Sequence, residues 1–345
     1  MTTPLRIAVL TREGAGVNAI HDASACLVDA LNRAGHEARL VDWVPGAVRD
    51  AASSSDVLAV PYNPFLYGRW GFAPSLVRDV AGVRRRAARP CVALIVHETF
   101  VQIHDPKSLL MGAWQRLQLG VLLVLSDRSF ASIEAWAAML SRVRRTAHLP
   151  SGSTLPDARA HRDDVRAELG VTDRLVVATL SSGHPSHLTT YVALALQRVA
   201  AGDRPVTFLQ LGAGADQFDG LPADVPVIRP GRLSAERLAA HVAAADLVLT
   251  PFADGVSTRR TSFMAGLQQE VAVVGTRGAL TDSVLEPAGL ELVEVGDAPA
   301  FAERVAVLAA AGERRATAAA SGRALFESSF TADAIAQRFL RGIRA

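Results

Sequence analysis

Short apolar runs alternate with helix-length segments along nearly the whole chain, and no other feature narrows its fold as much. RIAVL (6–10), EARLVDW (37–43), DVLAVP (56–61), CVALIV (91–96) and VLLVLS (121–126) read as strands beside segments such as HDASACLVDALNRAG (21–35). In that segment Ala23, Cys26, Leu27, Ala30 and Leu31 recur at helical spacing, and Gly35 follows as a C-cap. A βαβα rhythm of this kind predicts parallel sheets covered by helices on both faces. It breaks at HLPSGSTLPDARAHRDD (148–164), then resumes with LVVATLSSG, VTFLQLGAG, DLVLTPF and VAVVGT. At 345 residues the chain is comfortable as two domains. The expected architecture is therefore α/β, two doubly wound Rossmann-like domains facing across a cleft. Residues 1–155 and 156–330 form the domains, and 331–345 is a closing helix expected to pack back on the first.

Composition removes several classes of function. Half the residues are apolar and a fifth are charged, the balance of a folded soluble domain. LGVLLVL (119–125) is far shorter than a membrane span, so no transmembrane segment is expected. MTTPLRIAVL reads as a first strand and not as a signal peptide, and a cytoplasmic location is expected. Cys26 and Cys91 fit neither a zinc site nor a disulfide framework, and are expected as buried thiols. A net charge of +2 does not argue for nucleic acid. Residues 1–155 nevertheless hold 17 Lys+Arg against 12 Asp+Glu, dense at VRRRAAR (83–89) and SRVRR (141–145). Solvated helix faces explain such runs, with an anionic acceptor or anionic membrane surface as the weaker reading.

Ligands of doubly wound sheets sit beyond the carboxyl ends of strands, which selects four joints. GAGVNA (14–19) matches the dinucleotide pattern G-x-G-x-x-A with Asp42 as its acid, but Thr11, Arg12 and Glu13 crowd the tight turn. His97 and Glu98 follow CVALIV, and HETFVQIH is not the zinc pattern H-E-x-x-H. His97 reads either as a site residue or as a hydrogen-bonded structural histidine. Asn63 stands among aromatics in NPFLYGRWGFAP (63–74), a composition that packs loops and also suits a sugar face. The third joint is SSGHPS (181–186). In the fourth, PFADGVSTRRTSFMAG (251–266), Ser257 or Asp254 is placed to cap the following helix. The N–H groups of Gly255, Val256 and Ser257 would then face an anion beside Arg259 and Arg260. A diphosphate is the natural anion. No Asp-x-Asp clamp, G-x-S-x-G elbow or phosphate-binding G-x-x-x-x-G-K-[ST] loop is present, and Lys107 is the only lysine.

These residues resemble the family 4 glycosyltransferases of GT-B fold, in the bacterial subgroup with a D-G-V-S-T-R-R signature, here Asp254 to Arg260. The similarity extends through NPFLYGRWGFAP, HETF, LPSGSTLP, SSGHPS, AADLVLTPF and the closing TADAIAQRFLRGI. It implies transfer of a sugar from a nucleotide-diphosphate sugar to a hydroxyl-bearing secondary metabolite, glycan or lipid, with retention and with neither metal nor cofactor. The second domain would hold the donor and the first the acceptor. By the same resemblance, His97 and Asp254 are catalytic, Asp254 standing where a glutamate holds the sugar hydroxyls. Gly16, Ser182, Gly183, Gly255, Val256, Ser257, Arg259 and Arg260 would take the diphosphate and sugar, with Gly14 in the closing glycine loop. Leu233 and Ser262 would face the nucleoside, Ser262 replacing the family's ribose-binding glutamate. Asn18, Asn63 and Glu98 would face the acceptor. Two alternatives stay open: an NAD-dependent oxidoreductase built on GAGVNA, and a catalytically silent partner protein.

Overall fold

The computed structural model describes residues 3–12, 19–181, 183–212, 218–286 and 289–345. They form two compact units, Met1–Gly152 with Ala332–Ala345, and Ser153–Thr331.

The first unit holds strands β1 (Arg6–Thr11), β2 (Glu37–Asp42), β3 (Val57–Tyr62), β4 (Cys91–Val96), β5 (Arg128–Ala131) and β6 (Thr146–His148). They form one parallel sheet in the order β2-β1-β3-β4-β5-β6. Its central strands are buried on both faces, which is why they read as unbroken apolar runs instead of alternating ones. One face packs Leu58, Val60 and Leu94 against Leu119, Leu122 and Leu123. The other packs Ile7, Val9 and Phe130 against the helices Ala19–Arg33 and Ala332–Arg344. The second of these sits close because Gly342 has no side chain: a Cβ there would lie 2.4 Å from the Phe130 ring.

The second unit holds β7 (Leu175–Leu180), β8 (Val206–Leu211), β9 (Val227–Ile228), β10 (Leu247–Thr250), β11 (Ala272–Arg277) and β12 (Glu291–Glu294). Again the sheet is parallel, in the order β12-β11-β10-β7-β8-β9. Phe263, Met264 and Leu267 cover one face, and Tyr191, Leu196, Phe301 and Val305 the other.

Aspartates stitch the starts of the strands. Asp56 accepts from Arg6 N, Asp127 from Val92 N and Asp246 from Val176 N, each with arginine partners. Asp127 also explains the first basic run. Arg84 and Arg89 bind its carboxylate, and Arg86 donates to Arg49 O, so much of that run serves the fold and not the solvent. Burial alone would raise the Asp127 carboxyl. The Arg89 bond, the Val92 N–H and the Arg84 bond outweigh it and hold it at about 2. Cys26 and Cys91 are half-buried free thiols, both pushed up by burial.

One strand expectation fails. VLLVLS is the end of the helix Pro106–Leu125, and the strand comes next, at β5. A short apolar run does not separate strand from helix by periodicity. Here Asp105 accepts from Ser108 N while Ser108 Oγ accepts from Asp105 N, a capping box that starts a helix long enough to absorb the run. The whole helix is also long and apolar enough by composition to cross a membrane, contrary to the reading of its apolar core alone.

Candidate functional site

In the second sheet β8 and β9 lie on one side of β7, and β10 to β12 on the other. The crevice of such a sheet opens where the winding reverses, beyond the ends of β7 and β10. Two of the joints singled out by sequence meet there. Leu188 N donates to Pro251 O at 2.9 Å, Ala253 N donates to Ser186 O at 2.8 Å, and His187 bridges to Phe252. Arg260 Nη2 reaches across to Ser186 Oγ at 3.1 Å, and that hydroxyl also bonds His184 Nδ1 at 2.7 Å. Gly212, at the end of β8, must be glycine: its φ is 105° and a Cβ would lie 2.0 Å from Ser181 O.

The charged loop is arranged differently from the expectation. The helix begins at Thr261, with Arg260 as its N-cap residue, so neither Asp254 nor Ser257 caps it. Gly255 N donates to Phe252 O and Val256 N to Thr276 O, so these N–H groups are already used. Val256 is a core residue of the second unit. The arginines therefore carry the positive potential. Asp254 lies between them, accepting from Arg259 Nη2 at 2.7 Å and from Arg260 Nη2 at 2.5 Å. All three side chains are mostly shielded from water. The Arg260 guanidinium also lies 4.1 Å from the Phe252 ring centre, a stacking that fixes its plane.

A third loop, after β11, supports this arrangement from behind. Leu280 N donates to Asp254 O, and Thr258 donates through both N and Oγ1 to the buried Asp282 carboxylate at 2.7 and 2.8 Å. Gly255 has a φ of 83°, and a Cβ there would lie 2.4 Å from Gly278 N and from Thr281 Oγ1. The backbone thus approaches as closely as glycine allows. Ser257 Oγ is buried with no hydrogen-bond partner among the described residues, an unsatisfied donor just behind the charged triad.

Elsewhere, Gly183 is exposed at a φ of 76°, and Ser262 lies in the first turn of the helix Thr261–Gln268. Leu233 is partly buried against the core of the second unit. In the first unit, β3 and β4 end side by side and bring Asn63, His97 and Glu98 together, with His97 N donating to Tyr62 O at 2.8 Å. Asn63 Oδ1 accepts from Phe65 N, so part of its side chain forms a turn. Burial pushes His97 down to about 4, which leaves a neutral imidazole at neutral pH. No described residue is hydrogen-bonded to that ring. Gly14, Gly16, Asn18 and Ser182 lie outside the described residues, and with them most of GAGVNA. Sequence reasoning passed over Ser186, Phe252, Thr258 and Asp282. Ser186 stood inside a quoted joint, whereas the pairing of Asp282 with Thr258 has no local signal.

By sequence, the chain matches no protein-family model and none of the curated proteins. By structure it is similar to HepE of Anabaena, solved in complex with UDP and glucose, at 14% identity, 99% of each chain and a TM-score of 0.69. It is also similar to the α,α-trehalose 6-phosphate synthase of Burkholderia multivorans, at 11% identity, 99% of this chain and 98% of that one, and a TM-score of 0.67. An α-glucosyltransferase solved with UDP and a DNA containing an HMU base aligns at 8% identity, over 99% of this chain and all of that one, with a TM-score of 0.64. At such identities the likeness is one of fold, and the fold, two doubly wound parallel sheets of six strands, is that of the GT-B glycosyltransferases.

Proposed function

We propose that the chain is a glycosyltransferase of the family 4 kind, moving a sugar from a nucleotide-diphosphate sugar to a hydroxyl-bearing acceptor with retention and without a metal. One observation carries the reading: Asp254 is held between Arg259 and Arg260 at the reversal point of the second sheet. A half-buried carboxylate occupying two guanidiniums is a stand-in for a better anion. When a diphosphate enters, its oxygens take over the arginine donors in the bidentate geometry suited to them. The Asp254 carboxylate is released to accept from sugar hydroxyls.

The chemistry follows from that exchange. Breaking the bond between sugar and phosphate builds negative charge on the phosphate and positive charge on the sugar carbon. Donors already aimed at the phosphate strengthen as the charge grows, so they stabilise the transition state more than the ground state. The leaving phosphate accepts the acceptor's proton on the same face, and no strong protein base is required. His97, neutral by burial, acts as a positioning group in the first unit, beside Glu98 and Asn63 on the acceptor side. Leu233 and Ser262 complete the donor side.

The test is a panel of UDP-, GDP-, dTDP- and CDP-sugars, with NAD as the contrast, followed by calorimetry and by release of nucleoside diphosphate through slow transfer to water. Binding and turnover of one nucleotide-sugar class are expected. Binding of NAD with no response to any nucleotide sugar would overturn the proposal.

A further inference from the structure

The helix Pro106–Leu125 is built inside out. Its buried side carries Ser108, Gly112, Gln115 and Gln118 ahead of three leucines, whereas its outer side carries Leu110, Leu117 and Val124 at 65, 70 and 63% exposure. Those three are seven residues apart, so they form one stripe along the helix. Aromatic rings from the preceding loop extend it. Phe72 packs against Trp114 at 5.7 Å between ring centres, and Trp70 lies beside Lys107, whose Nζ is 5.5 Å from its ring centre. Both Trp70 and Phe72 are more than half exposed. Trp70 is held outward in a left-handed conformation, with a φ of 57°, and Gln115 Nε2 donates to its carbonyl at 3.1 Å. A bulky residue keeps such a conformation only where its surroundings impose it.

The charge pattern selects the partner. The helix contains no acidic residue; its charges are Lys107 and Arg116, and Arg69 lies 5.0 Å from the Trp70 ring centre. Asp105, just before the helix, is engaged as its cap. Leucines and valines flanked by tryptophan and cations match the boundary between acyl chains and anionic headgroups. We propose that this face docks the first unit onto an anionic membrane surface. The helix lies on the bilayer and does not cross it. Gln115 and Gln118 make five hydrogen bonds, to Val101 N, Trp70 O, Ala73 N, Tyr62 Oη and Gly71 O, which a spanning helix would forfeit.

The experiment is flotation of the full chain with phosphatidylglycerol-containing vesicles, against pure phosphatidylcholine vesicles, at low and high salt. A Leu110→Glu/Leu117→Glu variant and a milder Leu110→Ser/Leu117→Ser variant are run beside the wild type. Because these side chains face solvent, unchanged melting is expected in both. The wild type should float with anionic vesicles, release with salt, and partition roughly tenfold or more above the glutamate variant. Two results would overturn the proposal. One is equal flotation of all three proteins. The other is absence of vesicle binding together with a wild-type dimer, seen by sedimentation, that both variants abolish; the stripe would then join two copies of this chain.

Discussion

Replacing Asp254 by asparagine should lower the stability of the unliganded protein, raise its affinity for a nucleoside diphosphate and slow sugar transfer. The carboxylate accepts from Arg259 at 2.7 Å and Arg260 at 2.5 Å, and the two guanidiniums are only 15 and 10% exposed. Removing one partner of a buried pair costs about 3–5 kcal/mol, because the remaining charge stays buried. Asn retains one oxygen for one guanidinium, and the carboxylate is itself a quarter exposed, so a loss of about 2–3 kcal/mol is expected. For a unit of this size that lowers the melting temperature by about 4–12 °C. Saturating nucleoside diphosphate should close the gap, since its phosphates supply the missing negative charge without competition. Transfer should still fall by about 10- to 150-fold, the loss of one charge-assisted hydrogen bond to the sugar. Melting with and without ligand, calorimetry and turnover at saturating donor measure all three. An unchanged melting temperature with near-normal turnover would refute the exchange of partners at Asp254.

Two further substitutions probe the support of the site and the first unit. Gly255→Ala should destabilise by about 2–4 kcal/mol and weaken nucleotide binding, because a Cβ combines a left-handed backbone with contacts of 2.4 Å to the loop after β11; melting and calorimetry on the variant check both. His97→Ala should leave diphosphate affinity unchanged and reduce transfer roughly a hundredfold through misplacement. Its pH signature is specific. The folded value near 4 lies below the ordinary 6.5, so the native protein binds fewer protons than the unfolded chain between them. Stability from this group is therefore lost as pH falls from about 6.5 towards 4, and the variant should lack up to about 1.4 kcal/mol per pH unit of that slope. Intact turnover in a destabilised variant would return His97 to a purely structural role, and identical acid melting profiles would contradict its depressed titration.

Much of the fold was legible because buried parallel strands leave unbroken apolar runs, as in CVALIV and LVVATL. VLLVLS misled because its apolarity belongs to a helix whose start signal, Asp105-Pro106-Lys107-Ser108, lies well upstream. The loop after β10 was legible as a place and not as an arrangement. Its glycine and arginines read as a ligand joint with a helix starting at once, whereas the turn at 257–260 delays the helix and points both guanidiniums back to Asp254. Likewise Arg84 and Arg89 read locally as a solvated basic face, whereas their partner Asp127 is about forty residues away in sequence and close only once the sheet forms. Pairings of that range have no local pattern to read.

The most direct test of the account is calorimetry of wild type and of the Arg259→Ala/Arg260→Ala variant with a nucleoside diphosphate and with the corresponding bare nucleoside. With cooperative melting of the variant as the control for folding, the diphosphate should lose roughly a hundredfold or more in affinity, as two charge-assisted contacts go, and the nucleoside little. Equal losses for both ligands, or wild-type protein that binds no nucleoside diphosphate at all, would contradict the placement of a nucleotide-sugar diphosphate beside Asp254.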